Sequence, residues 1–373
     1  MIEVLVTGAA GFIGLNLVSV LRRMDNVDLF QYDVNSTEDE LQEALRECDL
    51  IFHLAGVNRP ADESEFARVN AGLTQSICET LRKLGRSPRI VLSSSIQADL
   101  NNPYAVSKKA AEDILKAYHE DTGADVVIYR LPNVFGKWSR PNYNTVVATF
   151  CHNIARDLPI QISDESQELQ LVYIDDVVRA FLGELQLEGN QNGYCFAQVT
   201  PVSSITLGRL AKMIESFRKS RDTLMLPDVG DGLTSRLYAT YLSFLPPDEF
   251  PHRLQTREDQ RGTLAEFIKH PGLGQMFVSR TKPGVTRGDH YHHTKVEKFL
   301  ILEGKGIIRL RNINSNAVLS YPVDGREFKV VDIPPGYTHS IENVGEGELV
   351  VLFWASETYD PGHADTESLP VLI

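Results

Sequence analysis

The chain has no surplus of positive charge to offer a polyanion. Its 373 residues carry 37 Lys and Arg against 50 Asp and Glu, a formal net charge of −13. Nucleic acid and anionic bilayers are held by cationic side chains that release counterions, so neither is expected as a partner. Cysteine is equally sparse. Cys48, Cys78, Cys151 and Cys195 are scattered without paired spacing, which argues against a disulfide framework or a zinc knuckle and fits a reducing cytoplasm. Long apolar runs are missing as well; "LVVLFWA" is far too short to cross a bilayer. The chain opens directly on an apolar strand without a basic leader, as expected of an unexported protein. What remains is an ordinary hydrophobic fraction, 42%, over a length that predicts two domains.

The text of the chain changes style once. Up to about residue 190, "IEVLVTG", "VDLFQYD", "LIFHLAG", "RIVLSSS" and "DVVIYRL" each precede an amphipathic stretch, and that alternation predicts an α/β domain with a doubly wound parallel sheet. A mixed, mainly helical lobe, with "ITLGRLAKMIESFRKS" at helical period, carries this domain to residue 243. Residues 244–253, rich in proline and polar groups, read as a linker. From 254 to 373, short strands separated by Gly, Pro, Asn and Asp predict an all-β barrel or sandwich.

In "TGAAGFIG", Gly8, Gly11 and Gly14 lie between a strand and a helix. Such glycines allow a tight turn, close approach of a pyrophosphate and close helix–strand packing, the signature of a Rossmann-type dinucleotide site. Asp33, at the end of the second strand, is placed to bond ribose hydroxyls and repel a 2′-phosphate, which favours NADH; the alternative is an exposed turn aspartate. "SSS" at Ser93–Ser95 ends a buried strand, and Tyr104 and Lys108 of "YAVSK" share one helical face. An ammonium one turn away, with a cationic cofactor, would lower the tyrosine pKa, and a serine would hold a carbonyl.

Glycine turn, serine strand end and Tyr-Lys pair, with "YRLPNVFG" (Arg130, Asn133, Gly136) and "LVYIDDVV" (Asp176), resemble the extended short-chain dehydrogenase/reductases that act on nucleotide sugars. The resemblance implies Tyr104 as acid-base, Lys108 as its helper, and Ser95 or Ser94 as the carbonyl partner. It also implies a cofactor set that adds Phe12, Ile13, Leu54, Ala55, Gly56 and Lys108 to the glycines and Asp33, and substrate contact at Asn133. Only eight residues separate Ser95 from Tyr104, fewer than in most such enzymes. Lys137 and Arg140 in "FGKWSRPNYN" suit a substrate diphosphate or, alternatively, a solvated loop.

Near the other end, "RGDHYHHTKVEKFLILEG" gathers His290, His292 and Glu297, and His339 follows in "PPGYTHSIEN". Alternation along a strand points His290 and His292 to one side. Three imidazoles and a carboxylate suit zinc, or alternatively Fe, Mn or Ni, bound catalytically or structurally. The spacings G-x5-H-x-H-x4-E-x6-G from Gly284 and P-x-G-x2-H-x3-N from Pro334 resemble both cupin motifs, whereas His293 fits no ligand position. "EDQRGTLAEF" (Asp259, Arg261, Gly262) resembles the opening strand of the deoxysugar 3,5-epimerase type, which implies proton abstraction beside a carbonyl. Lys298, Tyr291, Tyr337 and His339 are the candidate bases.

The fused arrangement resembles the bifunctional capsular-polysaccharide enzymes of UDP-N-acetyl-L-fucosamine synthesis. That resemblance implies a homodimer that takes a UDP-linked 4-keto-6-deoxy-N-acetylhexosamine. Its zinc-bearing cupin would epimerise C3 of a UDP-2-acetamido-2,6-dideoxy-4-hexulose, and its reductase would convert the C4 ketone with NADPH to UDP-2-acetamido-2,6-dideoxy-L-talose. Two alternatives are a 4-reductase whose cupin serves only dimerisation and a non-catalytic nucleotide sensor; retention of Tyr104 and Lys108 weighs against the sensor.

Overall fold

The computed structural model describes residues 1–60, 62–186, 193–360 and 362–373. They form two compact units, Met1–Glu215 with Gly232–Pro246, and Ser216–Asp231 with Pro247–Ile373.

The first unit opens with β1 (Ile2–Thr7), α1 (Phe12–Leu21), β2 (Val27–Tyr32), α2 (Glu38–Glu47) and β3 (Leu50–His53). A π-helical turn, Phe66–Gly72, leads into α3 (Leu73–Leu84), β4 (Arg89–Ser95), α4 (Pro103–Thr122), β5 (Val126–Leu131) and β6 (Asn133–Phe135). Then follow α5 (Val146–Ile154), β7 (Glu168–Tyr173), α6 (Ile174–Gly183), β8 (Tyr194–Ala197), β9 (Ser203–Thr206), α7 (Leu207–Thr223), which passes into the second unit at Ser216, and α8 (Gly232–Ser243). Six strands make one parallel sheet in the order β2-β1-β3-β4-β5-β8, as the strand–helix alternation predicts. Its inner strands, β1, β3, β4 and β5, are largely buried on both faces because helices cover both. Val4 and Val6 enter one core cluster with Leu17, Phe52 and Phe181, while Leu5 between them enters another with Leu45, Ile51 and Leu115. A small sheet, β6-β7-β9, lies apart from the main one.

The second unit contains β10 (Thr256–Asp259), β11 (Gly262–His270), β12 (Gly274–Thr281), β13 (Thr286–Tyr291), β14 (Glu297–Glu303) and β15 (Lys305–Asn312). It continues through β16 (Val318–Asp324), β17 (Val330–Ile333), β18 (Tyr337–Asn343), β19 (Leu349–Ala355) and β20 (Glu367–Ser368). Two sheets, β10-β11-β12-β19-β14-β17 and β16-β15-β18-β13-β20, are antiparallel in every pairing. Both contribute to one core: Phe299, Ile301 and Phe353 come from the first sheet, and Ile308, Leu310 and Ile341 from the second.

The sequence reading assigns residues 216–231 to the α/β domain because their helical period continues the preceding text. Their backbone bonds lead elsewhere. Leu226 N–H donates to Lys269 O and Lys269 N–H to Leu224 O, both at 2.8 Å, so this stretch pairs with β11 and groups with the β unit.

Candidate active site and metal centre

In the first unit the cofactor-type residues converge at the carboxyl ends of the central strands. Gly8 has φ +69°, and a Cβ there would lie 2.7 Å from the Ala55 backbone, so a side chain would force β1 and β3 apart. The chain then enters α1 at Gly11, and no side chain caps that helix start, where Phe12, Ile13 and Gly14 form the first turn. Uncapped backbone N–H groups with a glycine cradle fit the pyrophosphate of a nicotinamide dinucleotide. Asp33 Oδ2 accepts from Ala10 N–H at 2.6 Å, so this carboxylate also braces the glycine turn. Leu54, Ala55 and Gly56 follow β3, where Leu54 N–H donates to Thr7 O and Ala55 N–H to Thr7 Oγ1.

The two serines at the end of β4 point to opposite faces. Ser94 donates to Glu112 Oε1 at 2.6 Å, and the same buried carboxylate accepts from Arg130 at 2.9 and 2.6 Å. Ser95 Oγ instead accepts from Gln97 N–H at 3.1 Å and lies near enough to the Tyr104 hydroxyl to lower its pKa. Burial pushes the Tyr104 hydroxyl above its ordinary pKa and Ser95 pulls part of that back. The lowering expected from Lys108 is not among the causes of this shift, which desolvation dominates. Lys108 is itself buried and donates to Ser93 O at 3.1 Å. Burial lowers its pKa to about 8, with Glu112 opposing.

Sequence reasoning missed two residues here. His53 bridges two threonines, with Thr7 Oγ1 2.7 Å from Nδ1 and Thr74 Oγ1 2.9 Å from Nε2. Thr74 spends its hydroxyl proton on Asn70 O, so His53 must donate from Nε2 and accept from Thr7 at Nδ1. Burial, with Lys108 nearby, holds His53 at about 3 and therefore neutral. Asn70 binds Val57 N–H and O and donates to Ser107 Oγ at 2.9 Å, joining the loop after β3 to the Tyr104 helix. The π-helical turn that presents Asn70 has no period in the sequence to mark it.

The substrate candidates scatter. Asn133 donates to Gln170 O; Lys137 pairs with Asp175 at 2.5 Å; exposed Arg140 lies over the Tyr143 ring, 5.2 Å from its centroid. The pairing gives Lys137 a carboxylate partner of its own.

In the second unit His290, His292, Glu297 and His339 each offer a ligand atom within 4.8 Å of the others. Glu297 comes from β14 in one sheet; His290 and His339 face each other across β13 and β18 in the other. A bulge in β13 aims His290: Asp289 has φ +59°, and Gly288, at φ +101°, has no room for a Cβ, which would sit 2.6 Å from His339 O. Burial and the neighbouring imidazoles push His290 down to about 4, leaving it neutral with a free lone pair. Nε2 of His292 and of His339 are buried without a hydrogen-bond partner, although Glu297 Oε2 lies 3.4 and 3.1 Å away. Two orphaned nitrogens converging on a carboxylate fit a divalent cation of the zinc type. His293 is exposed.

Of the four candidate bases, Lys298 lies beside Glu297 on the opposite face of β14 and pairs with Asp332 at 2.5 Å. Tyr291 alternates with the two histidines, whereas Tyr337 shares the face of His339 and packs on the core.

The glycine turn, the Ser95–Tyr104 pair and buried Lys108 on a parallel sheet define a dinucleotide-dependent enzyme class, and sequence comparison agrees. The NAD dependent epimerase/dehydratase family matches residues 4–193, the Polysaccharide biosynthesis C-terminal domain matches 257–367, and the chain belongs to the first family in its CapF branch. It is 43% identical to CapF from Staphylococcus aureus, covering 99% of this chain and 100% of that one at a TM-score of 0.91. It is also 47% identical to the UDP-2-acetamido-2,6-beta-L-arabino-hexul-4-ose reductase of Pseudomonas aeruginosa, over 99% of both chains. A UDP-glucuronic acid 4-epimerase from Bacillus cereus, solved with NAD, shares the fold at 21% identity and TM-score 0.55, over 65% of this chain and 98% of its own. Among the described residues, no helix is long and apolar enough to cross a membrane.

Proposed function

We propose that the chain is a bifunctional nucleotide-sugar enzyme, acting in the cytoplasm as a homodimer in capsule or O-antigen polysaccharide synthesis. Its second unit, read as a zinc-bearing cupin, epimerises C3 of a UDP-2-acetamido-2,6-dideoxy-4-hexulose. Its first unit reduces the C4 ketone with NADPH or NADH to UDP-2-acetamido-2,6-dideoxy-L-talose. The observation that carries this reading is the full-length similarity to a protein named as a hexul-4-ose reductase, joined to the retained Ser95, Tyr104 and Lys108.

The chemistry follows from the residues. Reduced nicotinamide, when bound, supplies the hydride. Tyr104 delivers the balancing proton to the C4 oxygen, a task that suits a hydroxyl kept protonated by burial. Ser95 holds that oxygen, Lys108 lies one helical turn away on the same face, and Glu112 keeps Ser94 out of the site. In the second unit a divalent cation, when bound, supplies positive charge beside the same ketone. The three histidines and Glu297 would hold it, and Tyr337 is the base candidate on the ligand face. A second reading, a single-activity 4-reductase with a structural metal, draws on the way the cluster joins both sheets of the β unit.

The test is reaction of the purified chain with the UDP-linked 4-keto-6-deoxy-N-acetylhexosamine in deuterated water, with and without each reduced nicotinamide, followed by NMR. Deuterium at C3 without cofactor, and reduced sugar only with it, is the expected result. Reduction without C3 exchange would favour the single-activity reading.

A further inference from the structure

The stretch Asp365–Val371, which no motif marks, runs along the histidine arm of the metal cluster and holds it from outside. The Asp365 backbone carbonyl lies 2.5 Å from His292 Nδ1, closer than the Thr366 hydroxyl at 3.5 Å. A carbonyl only accepts, so Nδ1 carries the proton and the Nε2 lone pair is committed to the cluster. The Asp365 carboxylate meanwhile accepts from the backbone N–H groups of His293 at 2.8, Thr294 at 2.8 and Lys295 at 3.0 Å, and from the Thr294 hydroxyl at 2.9 Å. The loop leaving His292 is thus wrapped around a single side chain.

The same stretch clamps the other histidine of β13. Ser368 and Glu367 pair with His290 and Tyr291. Leu369 N–H donates to Asp289 O at 2.9 Å and Val371 N–H to Asp289 Oδ1 at 3.0 Å, at the bulge residue itself. Buried Arg311 anchors its far end through Val371 O at 2.9 Å and Pro370 O at 2.7 Å.

We propose that Asp365 is a positioning residue for the metal: its main chain selects the His292 tautomer, its side chain holds the loop that aims the ring, and the stretch behind it sets the affinity of the site. This rests on the reading of His290, His292, Glu297 and His339 as a divalent-cation site and extends it to residues some seventy positions away. An outer partner of a ligating histidine is worth about 10–100-fold in metal affinity. Loss of the carboxylate frees the loop's donors together with the carbonyl that follows the same backbone.

The experiment uses the full chain stripped and reloaded with Zn2+, with Kd from competition against a chromophoric chelator and with Co2+ absorption as a report on ligand geometry. Asp365→Ala is expected to weaken Zn2+ roughly 10–100-fold and to alter the Co2+ spectrum. Asp365→Asn, which keeps one acceptor and the size of the side chain, should fall between it and the wild type and guards against a folding defect. In a His292→Ala background, Asp365→Ala should add little, because the ring it positions is gone. Unchanged Kd and spectrum for Asp365→Ala in a chain that binds zinc would overturn this inference alone. Full additivity with His292→Ala would do the same, by showing that Asp365 supports the unit generally. A wild-type chain that takes up neither metal would overturn the metal reading itself.

Discussion

Ser94 and Ser95 leave β4 on opposite faces, and that alternation gives them different partners. Ser95→Ala removes the hydroxyl beside Tyr104 that is proposed to hold the C4 oxygen, and the reductive kcat is expected to fall about 10²–10³-fold, as for loss of one oxyanion donor. Ser94→Ala leaves the reaction intact and costs about 1–3 kcal/mol of stability, because Glu112 loses a buried donor. Steady-state kinetics and thermal unfolding on the two variants separate these effects; a larger kinetic loss for Ser94→Ala would reverse the assignment. Asp33 is the other informative residue. Asp33→Ala is expected to raise the KM for NADH about tenfold or more, the worth of a charged hydrogen bond, while moving that for NADPH less. Equal changes would mean that Asp33 acts only through Ala10, bracing the turn.

At the scale of elements, α4 is tied to β4 and β5 through one buried carboxylate. Glu112 is wholly buried and its charge is met chiefly by Arg130, which also reaches Asp99, and more distantly by Lys109. Arg130→Ala leaves that charge only the longer, partly exposed contact with Lys109 at 3.6 Å, and a stability loss of up to roughly 3–5 kcal/mol is expected, readable in chemical denaturation. Glu112→Gln in the same background should restore part of it; no restoration would mean that the loss came from packing of Arg130 on Phe196. In β13 the bulge is the corresponding device. Gly288→Ala meets the His339 backbone at a positive φ, so the strand must shift and the histidine pair separate, with weaker zinc retention expected by metal analysis. Retention equal to wild type would show that the bulge tolerates a Cβ.

At the scale of the whole molecule, two chemistries proposed for one ketone should be separable. Removal of metal by a chelator, or His290→Ala, is expected to abolish deuterium uptake at C3. Oxidation of the reduced nicotinamide by already epimerised sugar should continue, since none of the metal-cluster residues belongs to the nucleotide site. Loss of both together would contradict this division.

The parallel sheet, the glycine turn, the Tyr-Lys pair and the four-residue cluster were legible in the sequence because each is written locally, in side-chain period or in spacings a few residues long. His339 was legible across some forty residues only because its own short motif marked it. Other features were decided by the tertiary structure alone: the bond of Ser94 to Glu112, the His53–Asn70 relay, the transfer of residues 216–231 to the β unit, and the hold of Asp365 on His292. Each depends on partners brought together by chain closure, so that a common aspartate or asparagine acquires its role from where the fold delivers it. Hydrophobic period specifies which face is buried, but the identity of the group met there is a property of the packed molecule.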